Sequence, residues 1–390
     1  MASTVTRSVS EPTFAWLALT MTPQMGPTRI RRVVERLGNA NAVLRASLTE
    51  LEACGLPAPA AQALALGTAR QAAEQELAQA QAAGVTLLCL DDPEYPEALK
   101  HIYDPPVLLY VRGNLQALDS PGIAVVGTRH PTPYGLGMAE RLACDLSTKG
   151  LIIFSGLARG VDSAAHRGAV QGRGRTVGVL GTGVDVIYPR ENKKLAEQML
   201  ELGGAIISEF PMGTAPTPQN FPIRNRIISG LSTGVLVVEA GEYSGTRITA
   251  RCALEQCREV FAVPGNVINR LSWGPNTLIK QGAKLVATWE DVWEELPSQV
   301  RLRLQPVEVR ENGSAAAHGT ASLFPGPPEL QPNERKVYAL IKADTATHID
   351  DLVERLEPEM STSVLFSVLF ELELNGRIRQ LPGKNFVRTF

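Results

Sequence analysis

The chain has 390 residues, 44% of them hydrophobic, with 38 basic and 40 acidic side chains and a formal net charge of -2. That length suits two or three domains with full cores, and the even charge balance excludes a surface that binds polyanions all over, so any nucleic-acid site must be local. The first residues, MASTVTRSVSEPTF, lack the apolar stretch of a signal peptide, and no apolar run approaches the roughly 18 residues of a membrane helix. The five cysteines and five histidines show no metal-ligand spacing. The expectation is a cytoplasmic protein with buried, reduced thiols, no membrane insertion, no metal and no cofactor. Cys252 and Cys257 are expected on one helix.

Residues 1–82 are rich in Ala and Leu. They alternate Gly-Pro-type turns with short amphipathic helices (MGPTRIRRVVERLG, then ASLTELEACGLPAPAAQALA), the pattern of a SAM-like or helix-hairpin-helix-like module. Seven basic residues against six acidic ones give that module no bias toward DNA, and a plain helical bundle is the alternative. Residues 83–302 form the second unit. Its first part, 84–111, reads as two strands around a Pro-rich connection. From Gly122 the rhythm becomes strand, loop, helix, with strands expected at 122–126, 151–154, 176–180, 205–208, 235–240 and 260–263. A last strand and helix lie between Lys284 and Leu296. This alternation predicts an α/β unit with a parallel sheet covered on both faces.

Residues 303–330 are rich in Pro, Gly, Ala and Ser and are expected as a flexible linker. Residues 331–390 hold three amphipathic segments and then NGRIRQLPGKNFVR, which predicts a winged helix-turn-helix. Its would-be recognition helix, Ser363 to Leu374, carries Glu371 and Glu373 and no Lys or Arg. Major-groove reading favours Arg, Lys, Asn and Gln, so a protein-contact or regulatory role is expected there. Arg377, Arg379, Lys384 and Arg388 of the wing could still touch a backbone.

The chemistry concentrates at strand ends. Arg224 and Arg226 precede the apolar strand at 235–240, and Ser244-Gly245-Thr246 follows it. Open α/β sheets bind ligands at that end, and Ser244 or Thr246 can cap a helix whose free N–H groups suit an anion. Three other strand ends carry small residues. The first holds Gly127, Thr128 and Arg129. The second holds Ser155, Gly156, Arg159 and Gly160, with Asp162 and His166 on the following helix. The third holds Gly181, Gly183 and Asp185. One such loop means little in an α/β fold. Four of them, with Arg129, Arg224 and Arg226 supplying forked donors, predict an anion site at the loop end of the sheet. Asp162 is as readily a partner of its own helix start, and His166 a packed helix residue. The dinucleotide fingerprint GxGxxG, the P-loop and the GxSxG elbow are not met.

VVGTR, SGLARGVDSAAHRGA, VLGTGVDVIYPREN, SEFPMGTAPTPQNFPIRNRIISGLS, GVLVVEA, SGTRITAR and EVFAVPG together resemble, in order and spacing, the DprA/Smf family of bacterial DNA-processing proteins. The resemblance covers nearly the whole chain and its three-part layout. It implies an extended Rossmann-like sheet, flanked by the N-terminal helical module and a C-terminal winged-helix (DML1-like) module. It also implies a homodimer that is no enzyme and that binds single-stranded DNA with little sequence preference. Such proteins protect incoming strands in natural transformation, help displace single-strand-binding protein and load the RecA recombinase; repair is the alternative setting. By motif, Arg129, Ser155, Gly156, Phe221, Arg224 and Arg226 carry over to DNA contact, and Gly127, Arg159, Gly160, Asn225, Ser244, Gly245 and Thr246 complete the expected surface. Phe221 would offer a base its aromatic face, with core packing as the alternative. One departure is Gln24, where a hairpin's first glycine is often found. The fold also resembles phosphoribohydrolases that carry PGGxGTxxE. Aligned on Gly245-Thr246, Glu242-Tyr243 replaces their glycine pair and Thr249 their glutamate, which argues against hydrolysis.

Overall fold

The computed structural model describes residues 10–304, 330–342, 345–357 and 359–388. The expected linker falls almost wholly outside the described residues.

The N-terminal module is built from helices Glu11–Thr20 (α1), Pro27–Leu37 (α2), Ala40–Arg45 (α3), Leu48–Ala53 (α4), Ala58–Ala65 (α5) and Thr68–Ala82 (α6). They start where the local chemistry allows: Ser10 and Asn39 cap α1 and α3, and Ser47 with Glu50 forms a capping box on α4. Their apolar faces do not close on themselves. Trp16, Leu17, Leu51 and Leu64 share one buried cluster with Leu87, Leu108, Tyr110, Leu180 and Met199 of the following unit. The Trp16 indole donates to Asp91 at 2.7 Å, and Glu76 accepts from the Met212 amide at 2.7 Å. The module is therefore packed onto the sheet unit rather than standing as a separate bundle.

Nine strands form one sheet: Thr86–Cys89 (β1), Leu108–Gly113 (β2), Gly122–Val126 (β3), Ile152–Ser155 (β4), Thr176–Val179 (β5), Ala205–Ser208 (β6), Gly234–Val237 (β7), Glu259–Ala262 (β8) and Lys284–Leu285 (β9). Their order is β1-β2-β6-β5-β4-β3-β7-β8-β9. From β6 to β9 the neighbours are parallel, as expected. At the other edge β2 runs antiparallel to β6, and β1 antiparallel to β2. Between the strands come helices Glu97–Lys100 (α7), Pro133–Thr148 (α8), Val161–Gln171 (α9), Lys193–Glu201 (α10), Asn220–Leu231 (α11), Thr246–Glu255 (α12) and Trp273–Lys280 (α13), and then Trp289–Glu295 (α14) and Ser298–Arg303 (α15). Alternate residues of β3 point to opposite faces, so both are covered. Ile123 and Val125 pack with Leu142 of α8 and Ala164 of α9, whereas Ala124 and Val126 pack with Ile227 of α11 and Ala250 of α12.

The chain lays down β3, β4, β5 and β6 outward in one direction. It then returns through α11 to place β7 on the other side of β3. Strand order reverses there, and the carboxyl ends of β3 and β7 open a crevice, the general ligand position of such sheets.

The C-terminal module has helices Pro332–Leu340 (α16), Ile349–Leu356 (α17) and Thr362–Leu374 (α18). Strands Thr347–His348 (β10), Ile378–Leu381 (β11) and Asn385–Arg388 (β12) are ordered β10-β12-β11. It is a winged helix around its own core of Val337, Leu352, Leu365, Leu369 and Phe386. Arg388 of the wing donates to the Tyr338 carbonyl at 2.9 Å and lies 4.4 Å from that ring's centroid, so this cation serves its own module.

The thiols depart from expectation. All five cysteines are free, yet only Cys89 is buried, and Cys257 is exposed. Cys257 lies past the end of α12 with φ of 55°, so it does not share the helix of Cys252. Among the described residues no helix is long and apolar enough to cross a membrane, and no group of three His, Cys, Asp or Glu could hold a metal ion.

Candidate functional site

A cavity of about 590 Å³ opens at the point where the strand order reverses. The β3–α8 loop contributes Gly127, Thr128, Arg129 and His130; the start of α11 contributes Phe221, Arg224 and Asn225; the β7–α12 loop contributes Ser244, Gly245 and Thr246. Asp162 and Tyr188 complete the wall.

The Arg129 loop is held from both ends by one residue, Glu239. Its main-chain carbonyl takes the Thr128 amide at 2.7 Å. Its buried carboxylate takes the Thr132 amide at 2.8 Å and the Thr132 hydroxyl at 2.6 Å. Burial pushes this carboxyl up, and the two Thr132 bonds pull it back down. From the other side Gly160, at φ of 75°, brings the β4–α9 backbone against Thr128 and Arg129, where a side chain would overlap. Arg129 itself is exposed at the rim.

Arg224 forms the floor. It is 4% exposed and donates to the Val179 carbonyl through Nη1. Burial brings its guanidinium down to about 10, Asp162 raises it and Arg129 lowers it further, so it stays a cation at neutral pH. Asp162 is buried too. Burial raises its carboxyl, while Arg224 and the amides of Ala158 (3.4 Å) and Gly156 (3.1 Å) pull it down. It thus ties the β4–α9 loop to the start of α9 and faces the floor cation.

Phe221 is half-buried at the cavity wall and not in the core. The Arg129 guanidinium lies 5.3 Å from its ring centroid, and the Tyr188 ring lies 5.9 Å away at 35°. Cation and two rings form one platform, Tyr188 being 42% exposed. Tyr188 was not singled out from sequence; its signal was an aromatic residue at the end of the third small-residue loop.

The β7–α12 loop is less open to anions than its sequence suggests. Ser244 Oγ accepts the Thr246 amide at 3.2 Å, the Arg247 amide goes to the Ser244 carbonyl at 3.1 Å, and the Ile248 amide to Gly245 at 3.0 Å. No side chain caps the helix at its Gly245 N-cap. With these amides satisfied inside the turn, positive charge in the cavity comes from Arg129 and Arg224.

Several expected contacts lie outside the cavity. Ser155 is buried and donates to the Val125 carbonyl at 2.7 Å. Gly156 lies beneath Arg224, and Gly160 packs on the neighbouring loop. Arg159 is exposed but forked onto Glu191 at 2.8 and 3.0 Å. The reading that put Arg224 and Arg226 in one crevice fails for Arg226. Two positions apart on a helix turns a side chain by about 200°, and Arg226 is buried against Glu209 (2.5 Å) and Asp104 (2.9 Å). His166 is a core residue. Thr176 gives its proton to the Ile153 carbonyl at 2.6 Å and so accepts from His166 Nδ1 at 2.7 Å, which leaves Nε2 deprotonated and without a partner.

The segment that builds this cavity lies within the region matched to known relatives. A family model described as DNA recombination-mediator protein A matches residues 86–297, and a model of the DprA winged helix domain matches residues 322–384. The chain belongs to the DprA/Smf family. Protein Smf of Escherichia coli is 46% identical to it over 301 residues, 76% of each chain. Protein Smf of Synechocystis is 33% identical over 399 residues, 96% of this chain and 98% of that one. The X-ray structure of DNA processing protein A (DprA) from Streptococcus pneumoniae matches 75% of this chain and 99% of its own, with a TM-score of 0.63 at 35% identity. Every residue of the cavity falls inside the larger DprA match.

Proposed function

We propose that this DprA/Smf chain captures single-stranded DNA at the strand-end cavity and acts as a recombination mediator without catalytic chemistry of its own. The observation that carries the reading is the platform of Arg129 over Phe221, with Tyr188 beside it and Arg224 beneath. A single strand needs cations for its backbone and an aromatic face for an unstacked base. A duplex keeps its bases stacked and offers that face nothing. Every base has a π-face, so capture of this kind is indifferent to sequence.

Two features weigh against hydrolysis. The position of the related hydrolases' glutamate is Thr249, and the carboxylate among the described cavity residues, Asp162, is engaged by two amides. Protection of incoming strands, displacement of single-strand-binding protein and loading of RecA in the cytoplasm, during transformation or repair, form the finer part of the proposal. Membership in a family described as recombination mediators supports it. Dimerisation would add avidity by making the second capture intramolecular.

The test is fluorescence anisotropy with labelled oligo(dT) and a duplex of equal length, using wild type and Arg129→Ala/Phe221→Ala at two salt concentrations. Salt-sensitive binding of the single strand that the double variant loses supports the site. Equal binding by both moves the DNA site elsewhere. Absence of binding removes the mediator reading and makes release of adenine from AMP the next assay. Loading is read as RecA filament growth on strands coated with single-strand-binding protein, with and without this chain.

A further inference from the structure

We propose that the helical module carries a second groove, on α2, that binds the phosphodiester backbone of DNA. A cavity of about 440 Å³ there is lined by Arg29, Arg32 and Arg36 and by the turn from Cys54 to Leu56. The module's even charge count conceals it, because the charges are segregated. The three arginines sit three and four residues apart and so share one helix face. Among the described residues no Asp or Glu lines the groove. Glu35, the acidic residue of α2, is 3.8 Å from Arg31 instead. Arg29 and Arg36 each give a donor to a main-chain carbonyl, of Gln24 and of Cys54 (3.0 Å). A carbonyl leaves the charge uncancelled, and a guanidinium keeps further donors for a phosphate. Among the described residues Arg32 has no partner.

Among the described residues no aromatic side chain lines this groove, so a base finds nothing there to stack on and the ligand is the backbone. That separates it from the platform at Phe221. The choice of DNA as the polyanion rests on the function proposed above. The module shares a core with the sheet unit, and Arg31 donates to the Tyr103 carbonyl at 3.1 Å, so groove and platform belong to one body. A nucleic acid held at one then meets the other at high effective concentration.

Anisotropy on the full chain tests it. The probes are oligo(dT) of about six nucleotides, within the span of a single site, oligo(dT) of about forty, and a duplex of the longer length. Arg32→Glu is the main variant, since Arg32 makes no contact that folding needs; Arg29→Gln/Arg32→Gln/Arg36→Gln is the second, and a thermal melt checks both. Arg32→Glu should bind the short oligonucleotide as wild type does. It should bind the longer strand or the duplex about tenfold more weakly at low salt, with a salt slope smaller by about 1. A loss confined to the long single strand means that one strand spans both sites; a loss on the duplex means that the groove takes a second DNA. Wild-type affinity for both long probes in folded Arg32→Glu overturns the proposal. If wild type ignores the short probe yet Arg32→Glu loses the long one, the groove stands and the strand-end site falls.

Discussion

The guanidinium of Arg224 occupies the space that a side chain on Gly156 would fill. The glycine two residues beyond Phe154 therefore helps to set the floor of the proposed DNA site without touching the cavity. Gly156→Ala should push Arg224 off the Val179 carbonyl and weaken oligo(dT) binding as much as Arg224→Ala does. Overpacking of this kind also costs about 1–3 kcal/mol of stability. Titration of both variants beside a denaturant melt checks the pairing: unimpaired binding by folded Gly156→Ala would mean that the cation has another place to stand.

Phe221 and Arg129 are coupled through their 5.3 Å contact. Phe221→Ala should lose about 1–3 kcal/mol of single-strand affinity, and Arg129→Ala should lower the salt slope by about 1. Residues in contact do not contribute additively. A double-mutant cycle on oligo(dT) should thus leave a coupling of about 0.5–1 kcal/mol, the scale of an exposed cation–π pair. Phe221→Trp should retain binding if a base stacks on this ring as proposed, because a tryptophan offers the same kind of face.

Arg226 should matter for folding and not for DNA. Glu209, buried beside it, would be left as an unpaired charge in Arg226→Ala, and breaking a buried ion pair costs about 3–5 kcal/mol; the half-exposed Asp104 would turn to water instead. Arg226→Lys should rescue little, since one ammonium cannot fork onto Glu209 while reaching Asp104. Urea melts should show the loss, while the folded fraction binds oligo(dT) at wild-type affinity.

The contrast between Arg224 and Arg226 also marks what was legible in the sequence. β3 and β6 coincide residue for residue with the apolar runs read as strands, because strands buried on both faces carry a continuous hydrophobic signal. The antiparallel direction of β1 and β2 left no such trace, since apolar pattern encodes burial and not strand direction. Residue types at the site were readable, but their juxtaposition was not. Arg129 and Phe221 meet across a fold, and Ser155, the last residue of β4, turns its hydroxyl into the sheet. The arginines of α2 escaped a charge count because summing a module erases its faces.

His166 should make stability depend on pH. Burial, with Arg224 and Arg167 adding to it, lowers its pKa to about 3, below the ordinary 6.5. Between those values the unfolded chain binds the proton that the folded chain refuses, so stability is full above about pH 6.5 and falls as pH drops, by at most about 1.4 kcal/mol per unit. Asp162 and Glu239, raised by burial, act in the opposite sense as they protonate. The difference between wild type and His166→Gln isolates the histidine. Denaturant melts from pH 7 to pH 5 should converge toward the acid end, and parallel curves would mean that His166 is hydrated or charged in the folded chain.

Gln24 holds a conformation that glycine would hold at lower cost. It has φ of 59° and follows Pro23 in a turn closed by the Met25 amide on the Thr22 carbonyl at 3.3 Å. The left-handed region costs a residue with a Cβ about 1 kcal/mol relative to glycine, because the Cβ crowds the following carbonyl. Gln24→Gly removes that crowding and keeps the carbonyl that Arg29 uses. The greater freedom of glycine in the unfolded chain offsets part of the gain. The expected outcome is a stabilisation of about 0.5 kcal/mol, seen as a higher urea midpoint at unchanged slope, with the α2 groove's affinity for DNA unaltered. A lower midpoint would show that the glutamine side chain contributes more in the turn than its backbone strain costs.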